Sequence, residues 1–558
     1  MRPSVGVEVT AAIRIGFRRW GPGVALWVFG LGISLVTLKD WIQLNDEGLM
    51  LQAAARIANG EVPYRDFWWF YPPGQPYLLA LIWKLHGPSL VDWRIVRALA
   101  NATVGVLVWR LALRRSGQIP ALFAWAVAIF AVSSATGPHP YPIAMALALG
   151  SLLCLDARPW AAGILLGIVA AWRIEFAAYL GLGSALGLAW RGTKPRVLAV
   201  WFGSAIGAAA VFYVPVVAAA GVAKSWDLLV RYPVLEFSKY QTLPFPLVWD
   251  GGGNSQGLDL VAQFVSYHMP LALIIGLGSS LGALVLSRRD GRWLELAAGI
   301  FAVGMANYLV VRADAFHTGP LAIMDAVLAA WAAGAVIEVR RQRAWSVSPQ
   351  FGWRPRIALL SASLACVSVG WALVDTVWKR EREVREARHA RIIRVDVADG
   401  VKELSETRCS LRGEPVQLCS LADLEQAVGW VRANTSGPIY VATKRSDWIT
   451  AGAPLFYVLS GRGNVTAYDI AAPGVLTGAK VQKEIIEDLS RSGATVVRYE
   501  AGITAAPEPN QAGKSTGIRI LDDWLDSNYV VVERFGVWVV LQPASGLKPP
   551  SLGAAEAK

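Results

Sequence analysis

The chain has 558 residues, of which 54% are hydrophobic and 17% are charged. Soluble proteins carry about 25% charged residues, so the composition excludes an ordinary soluble enzyme and indicates a membrane protein. The 25 tryptophans agree with this, because Trp is enriched at the membrane–water interface. The net charge of +12 does not call for nucleic acid as a partner, because Lys and Arg collect in the short cytoplasmic loops of membrane proteins.

Apolar segments follow a basic N-terminus that contains Arg14, Arg18 and Arg19. No small-residue cleavage site follows it, so the start is predicted to be an uncleaved signal anchor. About 20 apolar residues cross a bilayer, and segments near this length predict about eleven spans. The predicted spans are 21–38, 94–113, 119–136, 141–156, 160–173, 175–190, 197–220, 260–286, 293–311, 317–338 and 357–377.

Basic residues in alternate loops predict the orientation, since inner loops are rich in Lys and Arg. If the N-terminus lies inside, the odd number of spans places the basic stretch 379–394 outside, against the positive-inside pattern. Long translocated domains often do not follow that pattern. The inner-loop cations are Arg114, Arg115, Arg158, Arg191, Lys194, Arg196, Arg288, Arg289, Arg292, Arg340, Arg341, Arg343, Arg354 and Arg356. The polar residues predicted to lie on the outer face are Asp46, Glu47, Arg65, Asp66, His139, Arg173, Glu175, Arg231, Arg312, Asp314 and His317.

The first outer loop, residues 39–93, begins with the acidic pair Asp46 and Glu47. Acidic side chains near lipid cost free energy, so those that occur there usually have a function. A helix cap or a solvated loop pair would also explain this acidic pair. Arg65 and Asp66 either bind substrate or hold the loop. The Tyr71-Pro-Pro-Gly sequence predicts a rigid turn before an interfacial helix at 75–86, with simple loop geometry as the alternative.

Later outer segments add candidate cations. Arg312 suits a lipid phosphate, because guanidinium binds phosphate oxygens with two hydrogen bonds, and His317 is placed to donate another. The alternative is an interfacial Arg–Asp pair whose side chains reach water. Arg173 and Glu175 either line an outer cavity or form a buried pair between spans.

An aromatic and basic loop is predicted at residues 222–257. Trp226, Arg231 and Lys239 suit a surface for an isoprenoid chain and its phosphate, and the alternative is an ordinary amphipathic loop at the membrane surface. The Gly251-Gly-Gly-Asn254 sequence is a flexible linker rather than a phosphate-binding loop. His139 lies in a proline-rich turn and is predicted to be structural.

The C-terminal part, residues 381–545, has no membrane-length apolar run and predicts an α/β domain. Strands are expected at 438–442 and 494–498, a helix at 479–491, and a closing strand pair at 529–532 and 537–541. Residues 546–558 are predicted to be a disordered tail. Cys154 and Cys366 are expected to be inert, and Cys409 and Cys419 either form a disulfide or remain buried thiols.

The order of these motifs resembles the GT-C membrane glycosyltransferases. It runs from a basic N-terminus and one span to Asp46-Glu47, then Gly60-x-x-Pro-Tyr-x-Asp-Phe, Pro-Pro-Gly, and Gly87-Pro-Ser with Arg94. The likeness covers residues 20–380 and is similar to the bacterial branch related to protein O-mannosyltransferases and lipid A aminoarabinose transferases (glycosyltransferase family 39/83-like). Residues 456–462 are similar to the outer domains of many of these enzymes.

The resemblance implies a GT-C fold of about eleven spans with an extracytoplasmic α/β domain, and sugar transfer from a polyprenyl-phosphate donor at the outer face. The acceptor would be a protein, a lipid or a cell-envelope glycan. Asp46 would be the catalytic residue and Glu47 its companion. The candidate substrate-binding residues are Arg65, Asp66, Tyr71, Arg173, Glu175, Arg231, Arg312 and His317. No cofactor or metal is expected, although the acidic residues of the first outer loop leave Mg²⁺ or Mn²⁺ open.

Two other functions compete with transfer. A flippase for lipid-linked saccharides or a polysaccharide exporter predicts polar residues in both membrane halves and an inverted repeat, and the sequence shows neither. A membrane anchor with a polysaccharide-binding domain leaves the Asp46–Asp66 and Arg312–His317 groups without a role. The sequence therefore favours a transferase with a membrane catalytic domain at 1–380 and a soluble domain at 381–545.

Overall fold

The chain divides into two compact units, each described by itself below. The first contains Met1–Leu38, Ile95–Ala209 and Phe245–Val384, and the second contains Lys39–Arg94, Ala210–Pro244 and Arg385–Lys558. The computed structural model describes residues 5–38, 42–134, 141–249, 251, 255–287, 291–344, 353–388, 395–396, 400–401, 409–410, 421–450, 452–472, 474–500, 510–511 and 513–544.

Apolar helices dominate the chain and coincide with all eleven predicted spans. Among the described residues, six are both long enough and apolar enough to cross a membrane, which makes this a multi-pass membrane protein. These six are α4 (Leu90–Leu113), α9 (Pro195–Ala220), α12 (Gly257–Leu286), α13 (Trp293–Val311), α14 (Thr318–Ala344) and α15 (Trp353–Ala387). The other five segments lie in α1 (Val5–Val36), α5 (Gln118–Val132), α6 (Tyr141–Cys154), α7 (Pro159–Trp172) and α8 (Ile174–Trp190). Their apolar stretches are shorter, so the total of eleven spans stays a prediction.

Small residues bring α8 and α13 of the first unit into close antiparallel contact. A Cβ atom added to Gly183 would lie 2.4 Å from the carbonyl oxygen of Ala297, and one added to Gly187 would lie 2.5 Å from that of Trp293. Glycines at helix crossings allow backbones to approach in this way. Because the two helices run in opposite directions, the start of α8 and the end of α13 come together.

The second unit contains a four-stranded mixed sheet. Its strands lie in the spatial order Tyr440–Thr443, Val496–Tyr499, Trp538–Pro543 and Tyr529–Phe535. The predicted strands at 438–442 and 494–498 are confirmed as a parallel pair, and the closing pair is confirmed as antiparallel. The predicted helix at 479–491 is confirmed, and it buries Ile485 and Leu489 against the sheet. The strands are β5 (Tyr440–Thr443), β6 (Val496–Tyr499), β7 (Tyr529–Phe535) and β8 (Trp538–Pro543), and the helices are α16 (Leu421–Asn434), α17 (Leu455–Ser460), α18 (Ala479–Ser492) and α19 (Ile520–Asn528).

Short elements complete the second unit. The predicted helix after the Pro-Pro-Gly turn is confirmed as α3 (Gly74–His86), and it follows α2 (Asp46–Ala58). The two-residue strands β1 (Ile42–Gln43) and β4 (Cys409–Ser410) pair in parallel, and β2 (Val395–Asp396) pairs with β3 (Gly400–Val401) in antiparallel.

The segment predicted as a loop at 222–257 is helical over its first half. It forms α10 (Val222–Trp226), a π-helix (Asp227–Phe237) and α11 (Ser238–Gln241). Pro233 lies inside the π-helix, and a proline removes a backbone donor and disturbs regular α-helical hydrogen bonding. Ion pairs from Arg231 to Asp227 and from Lys239 to Glu236 join side chains one turn apart.

Several predictions lie outside the described residues. These are the turn containing His139, the linker residues 252–254, the inner-loop cations Arg288 and Arg289, the Cys409–Cys419 disulfide and the tail at 546–558. The domain division near residue 380 also stays a prediction.

Candidate functional site

The acidic pair forms the first turn of α2 in the second unit. Carboxylates are stabilised at this end of a helix by the partial positive charge of its unpaired backbone N–H groups. Asn45 precedes the helix and donates its side-chain N–H to Asp46 Oδ1 at 3.3 Å. Asp46 itself is half-buried at the start of the helix.

Glu47 differs sharply from its neighbour, because its side chain is 0% exposed. Arg94, at 1% exposure, donates Nε to Glu47 Oε1 at 3.1 Å and Nη2 to Oε2 at 2.8 Å. The backbone N–H of Gln43 is 3.4 Å from Oε2. Both carboxylate oxygens are therefore occupied by protein donors. Glu47 is thus the fully buried member of the pair, and Asp46 is the partly exposed one.

The sequence did not single out Arg94 as a site residue. Its partner lies 47 positions earlier, and no local pattern links the two. The one available signal was an arginine within a membrane-length apolar helix, since such a charge requires a partner.

Arg65 and Asp66 pair with each other, in agreement with the loop-holding alternative. Arg65 donates Nε to Asp66 Oδ1 and Nη2 to Oδ2, both at 2.8 Å. The hydrogen bond from Arg65 lowers the pKa of the Asp66 carboxyl, so Asp66 is ionised at neutral pH. Asp66 also accepts the backbone N–H of Val62 at 2.7 Å, which closes the turn. The pair is partly exposed, and its role in substrate binding stays a prediction.

Tyr64 is held in an unusual conformation within this turn. Its φ of 68° is the one positive value for a residue other than glycine among the described parts of the chain. Such a conformation is costly and persists only where surrounding contacts impose it. Its hydroxyl donates to the carbonyl of Tyr71 at 2.6 Å, which joins the turn to the Pro-Pro-Gly sequence. The Tyr71 carbonyl thus helps to hold the loop, and its ring remains a candidate for substrate binding.

Aromatic rings join this loop to the π-helix. Trp68 meets Tyr232 edge-on at 5.0 Å between ring centroids, and Phe70 lies 4.9 Å from Phe237. Arg231, next to Tyr232, is exposed and pairs with Asp227 and Glu236. Tyr232 and Phe70 are buried, and Arg231 is exposed; its role in binding stays a prediction.

The C-terminal segment 464–469 holds α2 and the outer loop. Arg56 donates Nη1 to Asp469 Oδ1 at 3.1 Å and to the carbonyl of Thr466 at 3.0 Å, and Gln52 donates to the same Asp469 oxygen at 3.2 Å. The backbone N–H of Trp68 bonds the carbonyl of Ala467 at 2.8 Å. The sequence missed this network. The spacing of Gln52 and Arg56 along a buried helix face was its only signal.

The start of α2 also touches α17 closely. A Cβ atom at Gly48 would lie 2.2 Å from the backbone nitrogen of Leu455, and that nitrogen donates to the carbonyl of Leu44 at 3.0 Å. The residue after the acidic pair therefore has to be glycine for this backbone approach. Most of residues 456–462, which the resemblance linked to outer domains, belong to α17 and therefore lie beside the candidate catalytic helix.

A second group of candidate residues lies in the first unit, where α7 ends and α8 begins. Arg173 is extended, with φ of −149°, and separates the two helices. It donates Nε to Glu175 Oε1 at 2.6 Å. The Arg173 side chain is 10% exposed, whereas the Glu175 side chain is 42% exposed. The predicted pair therefore exists, and it reaches the surface through Glu175.

The junction between α13 and α14 repeats this arrangement. Arg312, 3% exposed and extended, donates Nε to Asp314 Oδ2 at 2.6 Å. The other oxygen, Oδ1, lies 2.6 Å from His317 Nδ1 and accepts the backbone N–H groups of Phe316 and His317 at 3.0 and 3.1 Å. Asp314 therefore fixes the positions of both candidate phosphate-binding side chains.

Tyr308 connects the two junctions and was missed by sequence reasoning, because an aromatic residue in an apolar helix resembles ordinary core. Its ring lies 4.5 Å from that of His317, and the Arg173 guanidinium carbon lies 5.1 Å from the ring centroid. Arg173 also lies 5.5 Å from the Phe176 ring. The antiparallel contact of α8 and α13 brings the junctions together, so Arg173, Glu175, Arg312 and His317 form one cluster. We call Arg173, Glu175, Tyr308, Arg312, Asp314 and His317 the junction cluster.

Metal dependence stays open to experiment. In the described parts of the chain there is no group of three or more His, Cys, Asp or Glu side chains with metal-binding geometry.

Two crystal structures of ArnT from Cupriavidus metallidurans, a lipid A aminoarabinose transferase with the GT-C fold, resemble this chain over almost its entire length. The structure bound to undecaprenyl phosphate gives a TM-score of 0.55 at 13% identity, covering 95% of this chain and 99% of ArnT. The protein has the GT-C fold. The apo structure gives a TM-score of 0.53 at 15% identity, covering 96% of this chain and 100% of ArnT.

The predicted GT-C fold with a C-terminal α/β domain is thereby confirmed. No protein-family model and no curated protein sequence matches the chain. Within this GT-C fold, the candidate residues form two groups, one around α2 in the second unit and one at the junction cluster in the first.

Proposed function

We propose that the protein is a membrane glycosyltransferase that takes a sugar from a polyprenyl-phosphate donor. The observation that carries the proposal is the near full-length similarity in fold to ArnT, which one crystal structure records with undecaprenyl phosphate bound. The polar residues around α2 and at the junction cluster supply the two kinds of group that such a reaction needs, a carboxylate and phosphate-binding cations.

Asp46 is proposed as the general base. Transfer with inversion requires a carboxylate to remove the proton from the acceptor hydroxyl as that oxygen attacks the anomeric carbon. Asp46 is half-buried at a helix start, whereas Glu47 is fully buried and paired with Arg94, so Asp46 is the partly exposed acid of the pair. Glu47 and Arg94 are positioning residues in this proposal.

Arg312 and Arg173 are proposed to stabilise the departing lipid phosphate. Negative charge grows on this group as the glycosidic bond breaks, and fixed cations stabilise that charge without reorganisation. Asp314 and Glu175 hold the two guanidinium groups in place before substrate arrives. Arg65, Asp66, Tyr71 and Arg231 remain candidate binding residues for donor or acceptor.

The acceptor is proposed to be a hydroxyl group of a protein, lipid or cell-envelope glycan outside the cytoplasm. This location follows from the positive-inside pattern of the predicted inner loops. The C-terminal domain at 381–545 would then lie on the same outer side.

Arg312→Ala is expected to raise the KM for the polyprenyl-phosphate donor at least tenfold, because a charge-assisted hydrogen bond to phosphate is lost. Arg312→Lys should recover only part of the affinity, since Lys lacks the two-pronged geometry. The measurement is initial transfer rate against donor concentration, with Arg191→Ala as a control. Arg191 lies at the opposite end of α8 from Arg173 and forms an exposed ion pair with Asp156. An unchanged donor KM in both Arg312 variants would make Arg312 a structural residue.

Ser492→Cys tests the location of the C-terminal domain. Ser492 is exposed at the end of α18, and it is expected to react with a membrane-impermeant maleimide in intact cells. Lys194→Cys, in a predicted inner loop between α8 and α9, is the matched control and should react only after lysis. Protection of position 492 in intact cells with labelling at 194 would reverse the orientation and the outer-face assignment.

A further inference from the structure

The junction cluster has balanced charges when His317 is neutral. Arg173 pairs with Glu175, and Arg312 pairs with Asp314, so these four formal charges sum to zero. Arg380 on α15 acts electrostatically on Tyr141 and is itself paired with Glu383. An arriving phosphate anion therefore meets cations whose charge is already matched by carboxylates.

His317 is the one member of the junction cluster whose charge changes near neutral pH. Its side chain is 12% exposed, and its Nδ1 lies 2.6 Å from Asp314 Oδ1. Because an ionised carboxylate only accepts hydrogen bonds, Nδ1 carries the proton in this contact. In the neutral ring Nε2 is therefore a hydrogen-bond acceptor, and only in the imidazolium form does it carry an N–H that can donate.

The surroundings keep His317 neutral until an anion arrives. Burial lowers the pKa of His317, and the charges of Arg173 and Arg312 lower it further. Asp314 raises it, but the resulting pKa lies below the usual value of 6.5. Glu175 on α8 is the other charge within the cluster, and Tyr308 on α13, whose ring lies beside His317, is uncharged at neutral pH. A phosphate oxygen accepts hydrogen bonds but does not donate them when fully ionised, so it cannot bond a neutral Nε2.

We propose that the junction cluster binds a phosphate group together with one proton, which His317 takes up at Nε2. The proton comes from solvent, and no covalent bond of the ligand changes. The cluster then carries one surplus positive charge, and the new Nε2–H donates to a phosphate oxygen. This inference rests on the proposed role of the cluster in holding the lipid phosphate, and it adds the protonation state in which that phosphate is held.

The dependence on pH follows from the sign of this coupling. Bound phosphate raises the pKa of His317 above its value in the free protein, so a proton is taken up between the two pKa values. Affinity is strongest at the acidic end of this window. It falls as pH rises, by at most about tenfold per pH unit for one proton, and becomes constant above the pKa of the bound state.

Calorimetric titration in two buffers of different ionisation enthalpy measures the proton count directly. Undecaprenyl phosphate is titrated at pH 7 into the full-length protein in nanodiscs, and His317→Asn is titrated in parallel. The Asn side chain amide can still donate to Asp314 but cannot take up a proton, so its titration subtracts any proton that the ligand itself exchanges. We expect the wild type to take up close to one more proton per bound ligand and to bind roughly tenfold more tightly or better.

Equal proton counts for the two proteins, or no binding of undecaprenyl phosphate to the wild type, would overturn the inference. If His317→Asn does not fold, the wild type at pH 7.5 suffices, because a phosphate monoester with its second pKa near 6 is then almost fully ionised. Net uptake there belongs to the protein, and no uptake overturns the inference.

Inorganic phosphate and undecaprenol, titrated separately, identify the source of recognition. Uptake with inorganic phosphate shows that the phosphate group alone is bound, and uptake with only the lipid phosphate shows that the chain is needed too. Uptake with undecaprenol would overturn the inference. Sugar transfer from a lipid-linked donor is assayed independently: transfer without proton uptake contradicts only this inference, and uptake without transfer contradicts only the proposed transferase.

Discussion

Asp46→Asn is expected to lower the rate of sugar transfer by roughly 10²–10⁴-fold, the usual effect of removing a general base. Asn has nearly the same shape as Asp but does not accept a proton at neutral pH. Asp46 is half-buried at the start of α2, and the substitution keeps the size of its side chain, so the fold should change little. The loss should therefore appear in kcat rather than in the amount of folded protein.

The assay is transfer of labelled sugar from a polyprenyl-phosphate donor in purified membranes, with protein level measured in parallel. Asp259→Asn is a suitable control, because Asp259 is an exposed acid in the first turn of another helix, α12. It should transfer sugar at the wild-type rate. A well-expressed Asp46→Asn protein with near-normal turnover would remove the catalytic role of the pair.

Glu47→Gln is expected to destabilise the protein by about 3–5 kcal/mol, because it leaves the charge of Arg94 buried without its counter-charge. Both side chains are essentially inaccessible to solvent, so water cannot compensate. The sequence alone favours a milder effect for this change than for Asp46→Asn. The burial of the pair instead predicts that the Glu47 variant fails in folding, before turnover is measured.

Reversible unfolding in mixed micelles, followed by circular dichroism, measures this loss. Arg65→Ala is the matched control, because it breaks an ion pair in the same unit whose Arg side chain is 49% exposed. Exposed pairs contribute about 0–1 kcal/mol, so this variant should remain close to wild type. The double variant Glu47→Gln with Arg94→Gln should recover part of the lost stability, since no unpaired charge remains. Equal stability of Glu47→Gln and wild type would refute the structural role.

The apolar helices were predictable because their signal is local. A run of apolar residues of membrane length can be recognised from the run alone, and each of the eleven predicted segments overlaps an apolar helix. The sequence signals for the strands of the C-terminal sheet were also local, since Tyr440–Thr443 and Val496–Tyr499 are short, mainly apolar runs between turns. The helix at 222–241 was missed, because its proline and mixed aromatic and basic residues resemble a loop.

Partners of site residues were not predictable, because they are set by tertiary contacts. Asp46 and Glu47 are adjacent and have the same chemical group, yet one is half-buried and the other is enclosed by Arg94. Asp314 illustrates the opposite case. It lies between Arg312 and His317 in sequence, so the local pattern offered the Arg312–Asp314 pair as an alternative, and the structure shows that His317 contacts the same carboxylate.

The hydrogen bond from Gln52 to Asp469 spans 417 positions of the chain. A ribosome adding 5–20 residues per second needs roughly 20–80 s to make that length. During this time the helix that begins with Asp46 is already synthesised but lacks the segment that holds Gln52 and Arg56. A nascent or prematurely terminated chain is consequently a membrane protein with an unfinished acidic helix, and the candidate general base reaches its final setting only in chains synthesised beyond Asp469.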